Sequence, residues 1–227
     1  MRIGVGLYGV NGHQIQHDLE GHPDAELVAT AAFDQAWLTD AQQGDRTIRH
    51  YETLGELPQD DRVQLVSLWS PRRRDQAEES IPCLEAGKHV YAEKPCAMTE
   101  EDLDAIRGAV ERTGMQFHEM AGTALEQPCL AMRKLVQSGI LGTVVQAFAQ
   151  KSYPYRDDRP QDEEADDGLL MHAGVHAPDS VHVATTLSSC PSSDTMFPER
   201  QAVRAETDNT APTAWLLGED SCPSRPP

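Results

Sequence analysis

The sequence predicts an α/β protein whose first part is a doubly wound parallel sheet, and two observations carry this prediction. Strand-like and helix-like segments alternate through residues 1–120, which is typical of parallel strands joined by right-handed crossovers. The segment Val63–Trp69 is an almost continuous apolar run, as expected for a strand buried on both faces of a sheet. The apolar fraction of 39% in 227 residues is low, so we expect a packed core over only part of the chain.

The strands and helices of this first part follow one another in a regular order. Strands are predicted at Arg2–Tyr8, Glu26–Phe33, Val63–Trp69, His89–Ala92 and Met115–Met120. A helix with a thin apolar face is predicted from about residue 12 to residue 21, and a second helix ends before Gly87, the expected C-cap glycine. A third helix begins after Thr99, which is placed as an N-cap, and ends at Gly114.

The pattern changes after residue 121. Pro128 opens a predicted helix that ends at Gly139, and Thr143–Ala149 has the composition of a strand. Residues 155–167 are rich in charge and contain a proline, which predicts a loop. A further helix is predicted from about Gly168. Residues 184–227 show no sustained period, which predicts an irregular or disordered tail.

Composition excludes several classes of partner. The formal net charge of −18 repels nucleic acid and anionic membranes, so we expect neither as a partner. No apolar run approaches the roughly 20 residues that a membrane-spanning helix needs, and the N-terminus lacks the pattern of a signal peptide. The five cysteines are scattered without a Cys-x-x-Cys pair, which indicates neither a zinc knuckle nor a disulfide framework and favours a reducing cytoplasm.

A glycine-containing turn follows the first predicted strand. Its sequence is Gly9-Val10-Asn11-Gly12-His13-Gln14. The position fits a dinucleotide turn, where glycines let backbone amides approach a pyrophosphate at a helix N-terminus. The match to G-x-G-x-x-G is imperfect, because Asn11 and Gln14 replace the second and third glycines and Gly12 is additional. Asn11 tolerates left-handed backbone conformations. His13 either reaches a phosphate or is a solvated helix residue.

Asp34 strengthens the prediction of a nucleotide site. It lies at the end of the second predicted strand, at the spacing of about 20 residues expected for the carboxylate that binds the adenosine ribose. Its charge would repel a 2′-phosphate, which favours NAD over NADP. The alternative is a loop aspartate of the kind that often follows a strand. The turn, the spacing and the alternation together favour nucleotide binding.

Glu93 and Lys94 stand at the end of another predicted strand. Pro95 ends that strand, because proline donates no hydrogen bond to a ladder. Ligands bind at the carboxyl ends of strands in open α/β sheets, and a lysine there can polarise a hydroxyl or a carbonyl. The alternative is a surface Lys-Glu pair beside a turn.

With these residues, the chain resembles the Gfo/Idh/MocA family of oxidoreductases over residues 1–183. The motifs that carry the resemblance are Gly9–His13, Asp34, Ser70-Pro71, Glu85–His89, Glu93-Lys94-Pro95, Ser138–Gly142 and Gly168–His176. The resemblance implies an N-terminal Rossmann domain at residues 1–121 that binds NAD(P), and a second α/β domain, for substrate, at residues 122–183. Members of the family mostly oxidise or reduce sugars, polyols and related small molecules with NAD or NADP.

The resemblance also implies roles for individual residues. Ser70 and Pro71 would lie along the cofactor near its nicotinamide end, with Glu93 as a further cofactor-binding residue. Lys94 would contact substrate and cofactor, lower the pKa of the substrate alcohol and hold it in place. His176 matches the family's acid/base histidine. Imidazole suits the transfer of a hydroxyl proton near neutral pH; the alternative is a helix histidine with a structural hydrogen bond.

The chain departs from the family's pattern at two places. His172 stands where the family often has aspartate, four residues before His176 and on the same helix face. It would bind substrate as a third catalytic residue, be a neutral variation, or bind a metal together with His176; no further ligand set accompanies the pair, so we expect no metal site. Residues 72–74 are three arginines, which would favour an anionic substrate or form a solvated helix start.

The family's second domain continues with further strands, which this chain's tail does not show. We therefore expect an incomplete substrate domain, from a truncated or frameshifted reading of a longer gene. The missing strands often form an oligomer interface in the family, so we do not expect a homo-oligomer here. The hypothesis is a cytoplasmic, NAD-dependent dehydrogenase or reductase of a sugar or polyol. The alternatives are a non-catalytic nucleotide-binding fragment or regulatory protein, and a metal-dependent, hydrolase-like site at His172 and His176.

Overall fold

The computed structural model describes residues 2–10, 12–120 and 127–150, together with Gly168, Gly174 and two strands at residues 200–205 and 213–219. The chain divides into two compact units. The first contains residues 1–120 and 160–168, and the second contains residues 121–159 and 169–227. In the part of the chain so described, no helix is both long enough and apolar enough to cross a membrane.

The first unit is built on a six-stranded sheet. Its strands are β1 (Ile3–Tyr8), β2 (Ala25–Ala31), β3 (Arg49–Tyr51), β4 (Leu65–Leu68), β5 (His89–Ala92) and β6 (Phe117–Glu119). All neighbours pair in parallel, in the order β3-β2-β1-β4-β5-β6. This is the strand order of a doubly wound nucleotide-binding sheet, and the predicted fold class is confirmed. The order reverses between β1 and β4, so a crevice is expected at their carboxyl ends.

Helices cover both faces of this sheet. They are α1 (Gln16–Leu19), α2 (Asp40–Gln43), α3 (Gln76–Glu85) and α4 (Glu100–Thr113), with 3₁₀ helices at Gln35–Trp37, Leu54–Gln59 and Arg73–Asp75. Two separate clusters of buried apolar side chains result. One contains Val66, Val90 and Ile106, and the other contains Val5 and Leu27. A sheet with both faces buried explains why the predicted strands read as apolar runs.

Two helix ends agree closely with the sequence prediction. Thr99 Oγ1 accepts a hydrogen bond from the backbone N–H of Asp102 at 3.1 Å at the start of α4, and Gly114 ends that helix with φ +70°. After α3, the N–H of Gly87 donates to Leu84 O at 2.9 Å and the N–H of Lys88 donates to Cys83 O at 3.0 Å. These two bonds form a Schellman motif, which fixes the start of β5.

One local prediction for the first unit is wrong, and one strand was not predicted. The helix expected from residue 12 to residue 21 is reduced to the four residues of α1, because the N–H of His13 bonds to the Glu93 side chain instead of entering a helix. The three-residue strand β3 was not predicted. It carries a charged residue, a histidine and a tyrosine, so it lacks the apolar run that marks the other strands.

The second unit contains a helix and a smaller sheet. They are α5 (Cys129–Gln137) and the strands β7 (Val144–Gln150), β8 (Arg200–Ala205) and β9 (Thr213–Glu219), paired antiparallel in the order β7-β9-β8. Met132 and Leu141 form a small buried cluster against partly buried side chains of β7.

Two of these strands correct the expectation of an irregular tail. Both β8 and β9 lie within residues 184–227, and the pairing of β9 with β7 spans more than 60 residues of sequence. Short segments without a clear period become strands when a partner strand supplies the ladder hydrogen bonds. The predicted loop at residues 155–167 lies outside the described residues, and so does most of the helix predicted from Gly168.

Candidate functional site

The turn after β1 has the backbone shape that its glycines predict. Gly9 has φ +68° and Gly12 has φ +139°, conformations that L side chains rarely adopt. The N–H of Gly9 donates to Ala31 O at 3.2 Å, which joins the turn to the end of β2. Asn11 lies outside the described residues.

Both glycines also allow the turn to lie directly against its neighbours. A Cβ atom on Gly9 would collide with the backbone oxygen of Trp69, and one on Gly12 would collide with Glu93 Oε2 and the indole ring of Trp69. The glycines are therefore required by packing against the residues that follow β4 and β5, whether or not a ligand approaches the turn. The sequence prediction attributed them only to the approach of a phosphate.

Glu93 connects the turn to the end of β5. Its carboxylate is 1% exposed, and Oε2 accepts the N–H of His13 at 3.0 Å and lies 3.4 Å from His13 Nδ1. Oε1 accepts the N–H of Lys94 at 2.9 Å. Burial by itself would raise the pKa of this carboxyl, but the His13 hydrogen bonds and the nearby charges of Arg73 and Lys94 together lower its pKa. Glu93 is therefore an ionised, fully engaged side chain at neutral pH.

Lys94 is buried as well, with 4% of its surface exposed. It lies two residues beyond β5, at the carboxyl edge of the sheet as predicted. The alternative interpretation, a surface Lys-Glu pair, is wrong because neither residue is on the surface. The charge of Lys94 acts on the buried Glu93 carboxylate, and such an interaction is strong where water does not screen it.

Ser70 and Pro71 follow β4 and lie beside the same turn. Pro71 Cδ would be 3.8 Å from a Cβ on Gly9, and Ser70 is completely buried. Within the described part of the chain, Ser70 Oγ has no hydrogen-bond partner. A buried hydroxyl without a partner is unfavourable, and an oxygen of a dinucleotide bound along this edge would satisfy it. The residues present therefore fit the predicted cofactor.

Asp34 is exposed and lies three residues beyond β2. Its Oδ1 accepts the N–H of Ala36 at 2.9 Å, so the side chain caps the 3₁₀ helix at Gln35–Trp37. Capping uses one of the two carboxylate oxygens. The other is available for a ribose hydroxyl, so the structure is compatible with both interpretations of Asp34.

Two glutamines form side-chain hydrogen bonds to the strand ends of the site, and the sequence did not predict either of them as a site residue. Gln14, read as a defect of the glycine pattern, donates from Nε2 to Tyr8 O and Gly9 O, each at 3.0 Å, and accepts from Ser67 Oγ at 3.0 Å. Its side chain thereby joins the ends of β1 and β4. Gln76, at the start of α3, donates to the backbone oxygens of Glu93 and Pro95. A polar residue at a helix start carries no sequence signal for such long-range contacts.

The arginines at residues 72–74 divide into two environments. Arg73 is 4% exposed and donates to Gln76 Oε1 at 2.8 Å. The expectation of a solvated helix start is therefore wrong for this residue, whereas Arg72 and Arg74 are exposed. Neither His172 nor His176 falls within the described residues, and among those that do, no group of three or more His, Cys, Asp or Glu side chains could hold a metal ion.

Comparison with known proteins agrees with this arrangement of the glycine turn, the strand ends and the buried Glu93-Lys94 pair. The family model for Gfo/Idh/MocA, an oxidoreductase family with an NAD-binding Rossmann fold, matches residues 3–120, more than half of the chain. The chain belongs to this family. The match covers nearly all of residues 1–120, the longer segment of the first unit, so the membership rests on the six-stranded sheet and on the edge that carries Gly9 and Lys94.

Two known enzymes are similar to parts of this chain. A scyllo-inositol 2-dehydrogenase (NADP(+)) of Bacillus subtilis (strain 168) is 24% identical over 141 residues, 62% of this chain and 38% of that protein. A 1,5-anhydro-D-fructose reductase of Ensifer adhaerens is 31% identical over 114 residues, 46% of this chain and 32% of that protein.

Solved structures show the same fold. A scyllo-inositol dehydrogenase from Lactobacillus casei, with bound NAD(H) and scyllo-inositol, superposes with a TM-score of 0.67 at 17% identity, covering 82% of this chain and 57% of that chain. An oxidoreductase domain protein from Kribbella flavida gives 0.69 at 27% identity, covering 82% and 54%. The chain thus spans between about a third and three-fifths of the length of these relatives.

Proposed function

We propose that this chain binds a nicotinamide dinucleotide and takes part in hydride transfer to or from a hydroxyl-bearing carbon of a sugar, polyol or related small molecule. One observation carries the proposal. The glycine turn after β1 and the Glu93-Lys94 pair after β5 are in direct contact through Glu93 and the N–H of His13. The glycine turn, which is predicted to bind a phosphate, and a buried lysine thereby share one edge of the sheet.

The side chains have distinct tasks at that edge. The nicotinamide ring, when bound, gives or accepts the hydride. Lys94 holds the substrate hydroxyl and favours its deprotonated form, because a buried positive charge acts strongly on a nearby oxygen. Ser70 Oγ would donate to the cofactor. His176 moves the hydroxyl proton and His172 assists; both roles are carried over from the sequence.

Binding and turnover would be measured separately. NADH and NADPH are titrated by fluorescence, and the chain is then assayed with scyllo-inositol, myo-inositol and 1,5-anhydro-D-fructose. We expect dinucleotide binding and turnover of at least one compound of this class. Absence of dinucleotide binding would refute the proposal. Binding without turnover on a broad sugar and polyol panel would refute the catalytic part and leave a nucleotide-binding fragment or regulatory protein.

The two lysines that flank β5 provide a matched test of the edge. Lys94→Met removes the charge at the carboxyl end of the strand, and we expect kcat to fall about 100- to 1,000-fold with dinucleotide affinity retained. Lys88 precedes the strand and donates to Asp60 O and Val63 O, at 3.2 and 2.7 Å. Lys88→Met should therefore lower stability without lowering kcat. Equal losses of kcat in both variants would contradict the role of Lys94.

The preference between the two dinucleotides depends on Asp34 in this proposal. Its carboxylate would accept the ribose 2′-hydroxyl of NADH and repel the 2′-phosphate of NADPH. We expect NADH to bind more tightly than NADPH. The variant Asp34→Ser retains a capping oxygen, and we expect it to improve NADPH binding and so to narrow the difference between the two dissociation constants. An unchanged ratio of the two dissociation constants would show that Asp34 serves only as a cap.

The same proposal extends to partners and compartment. We propose a cytoplasmic protein, because the five cysteines are scattered without a Cys-x-x-Cys pair and Cys83 is a buried thiol of the kind that a reducing compartment preserves. Nucleic acid is an unfavourable partner for a chain with a net charge of −18. A filter-binding assay with double-stranded DNA at low salt would contradict this if the complex were retained.

A further inference from the structure

Gln76 makes contact with the backbone on both sides of Lys94. Its Nε2 donates to the oxygen of Glu93 and, at 3.1 Å, to the oxygen of Pro95. The side chain is completely buried. These are the carbonyls of the residues immediately before and after the lysine. One amide group therefore bridges the backbone segment that carries the Lys94 side chain.

The orientation of this amide is determined by its neighbours. Arg73 Nη1 donates to Gln76 Oε1 at 2.8 Å, and Arg73 is itself 4% exposed. A guanidinium has no acceptor and a carbonyl oxygen has no donor. The oxygen of the amide must therefore face Arg73 and its nitrogen must face the two carbonyls. Reversing the amide would break all three contacts.

The buried arginine serves a second group at the same edge. Its charge also acts on the Glu93 carboxylate, which holds the N–H of His13 and of Lys94. Arg73 thus stabilises the strand end in two ways, through the Gln76 amide and through the Glu93 anion. Because α3 is anchored by its own hydrogen-bonded turns, with Ser80 Oγ donating to Gln76 O at 2.7 Å, the amide is presented from a rigid element.

We propose that Gln76, oriented by Arg73, is a positioning residue that sets the direction of the Lys94 ammonium at the sheet edge. The inference rests on the proposed function, in which Lys94 acts on the substrate hydroxyl. It gives the start of α3 a role in the chemistry. Neither of the two expectations for residues 72–74, an anionic substrate or a solvated helix start, includes this role. Displacing the backbone beside Lys94 displaces its ammonium, and misplacement by about 1 Å can cost roughly 100-fold in rate.

Two variants and one matched control test this role. Gln76→Glu keeps the size and the acceptor for Arg73 but removes both donors, and Gln76→Met removes donors and acceptor without adding charge. The control is Gln42→Glu: Gln42 is also buried and donates from Nε2 to a backbone oxygen, that of Gln16 at 2.7 Å. All three changes remove a buried amide donor, and only those at Gln76 touch the lysine segment.

The kinetic result should separate positioning from general stability. For both Gln76 variants we expect kcat to fall about 10- to 100-fold while KM and the NADH dissociation constant change by less than about threefold. Gln42→Glu should lower the thermal midpoint to a similar extent and leave kcat unchanged. Loss of kcat in the Gln42 control to the same degree, or full kcat in both folded Gln76 variants, would overturn the proposal.

A second measurement does not depend on turnover. The chain has four lysines, Lys88, Lys94, Lys134 and Lys151, so Cε-labelled lysine gives four NMR signals that single Lys→Arg variants assign. We expect Gln76→Met to move the Lys94 signal and to leave the other three in place. If the wild-type chain binds dinucleotide without turnover, the catalytic part of the proposed function fails and this signal alone decides whether Gln76 positions Lys94. An unmoved Lys94 signal would overturn it.

Discussion

Replacement of Glu93 by glutamine tests the contact on which the site depends. The side chain keeps its shape in Glu93→Gln, but an amide has a single acceptor oxygen where the carboxylate has two. In the native chain, separate oxygens accept the N–H of His13 at 3.0 Å and the N–H of Lys94 at 2.9 Å. The amide can satisfy one of them, so the other loses its acceptor in a buried position.

The expected magnitude follows from these contacts. A hydrogen bond to a charged group contributes roughly 1.5–3 kcal/mol. The substitution also removes the negative charge that interacts with Arg73 and Lys94, and breaking a buried ion pair costs about 3–5 kcal/mol in total. Since Glu93 is 1% exposed, solvent does not screen the loss. We expect the free energy of unfolding at pH 7 to fall by about 3 kcal/mol or more.

The loss should depend on pH in a defined direction. The pKa of Glu93 in the folded chain lies below the reference value of 4.5, so its charge stabilises the fold above that value. This stabilisation disappears as the pH falls through the folded-state pKa, where the wild-type carboxyl is itself protonated. The difference between wild type and Glu93→Gln should therefore be constant from pH 7 to about pH 5 and shrink below pH 4.5.

Urea denaturation followed by tryptophan fluorescence measures this difference, because buried Trp69 lies beside Gly12 at the contact. A matched control is Glu119→Gln, since Glu119 Oε1 accepts one backbone N–H, that of Cys96, at 2.8 Å at the end of β6. We expect that change to cost about 1 kcal/mol. Equal unfolding midpoints for Glu93→Gln and wild type at pH 7, or a difference that persists unchanged to pH 3, would refute the reasoning.

Three further predictions concern the first unit. Gly87→Ala should lower the free energy of unfolding by about 1–2 kcal/mol, because Gly87 has φ +77°. Gly108→Ala inside α4 should raise the free energy of unfolding by about 0.5–1 kcal/mol. A change of the same sign in both variants would contradict this reasoning. Asp60→Asn should lower the free energy of unfolding by about 2 kcal/mol at pH 7, because hydrogen bonds from Arg62 lower the Asp60 pKa from 3.8 to about 2. Urea titrations should show that the difference in stability between wild type and variant shrinks as the pH falls from 4 to 2. Burial and, secondly, the Glu79 carboxylate raise the pKa of Cys83 to about 12. Mass spectrometry should therefore find Cys83 alkylated by iodoacetamide at pH 8 only after the chain has unfolded. Rapid alkylation of Cys83 in the folded chain would contradict this.

The elements that the sequence predicted well are those whose boundaries depend on neighbouring residues. Thr99 and Gly114 define α4 because a capping hydroxyl and a left-handed glycine act within one helical turn. The strand β5 was predicted without error at His89–Ala92, since Gly87 and Pro95 terminate it locally. Strands β1 and β2 were placed to within about two residues, as is usual for strand ends.

Within the site, the sequence determined which residues stand at the carboxyl ends of the strands. Gly9, Ser70 and Lys94 each follow a strand, and parallel strands bring their carboxyl ends to one edge. The alternation of strands and helices was therefore sufficient to predict that edge, and the family resemblance added the roles of the residues there. The roles of His172 and His176 stay predictions.

Only the tertiary structure decided how these residues touch. Glu93 meets His13 across 80 residues of sequence. Gln76 bonds to the carbonyls on both sides of Lys94, and Arg73 bonds to Gln76, although each reads as an ordinary polar residue at a helix start. A buried polar contact requires complementary donors and acceptors at hydrogen-bond distance in three dimensions. The periodicity of a sequence reports which side of an element is apolar, but it does not report which distant polar group an inward-facing side chain will meet.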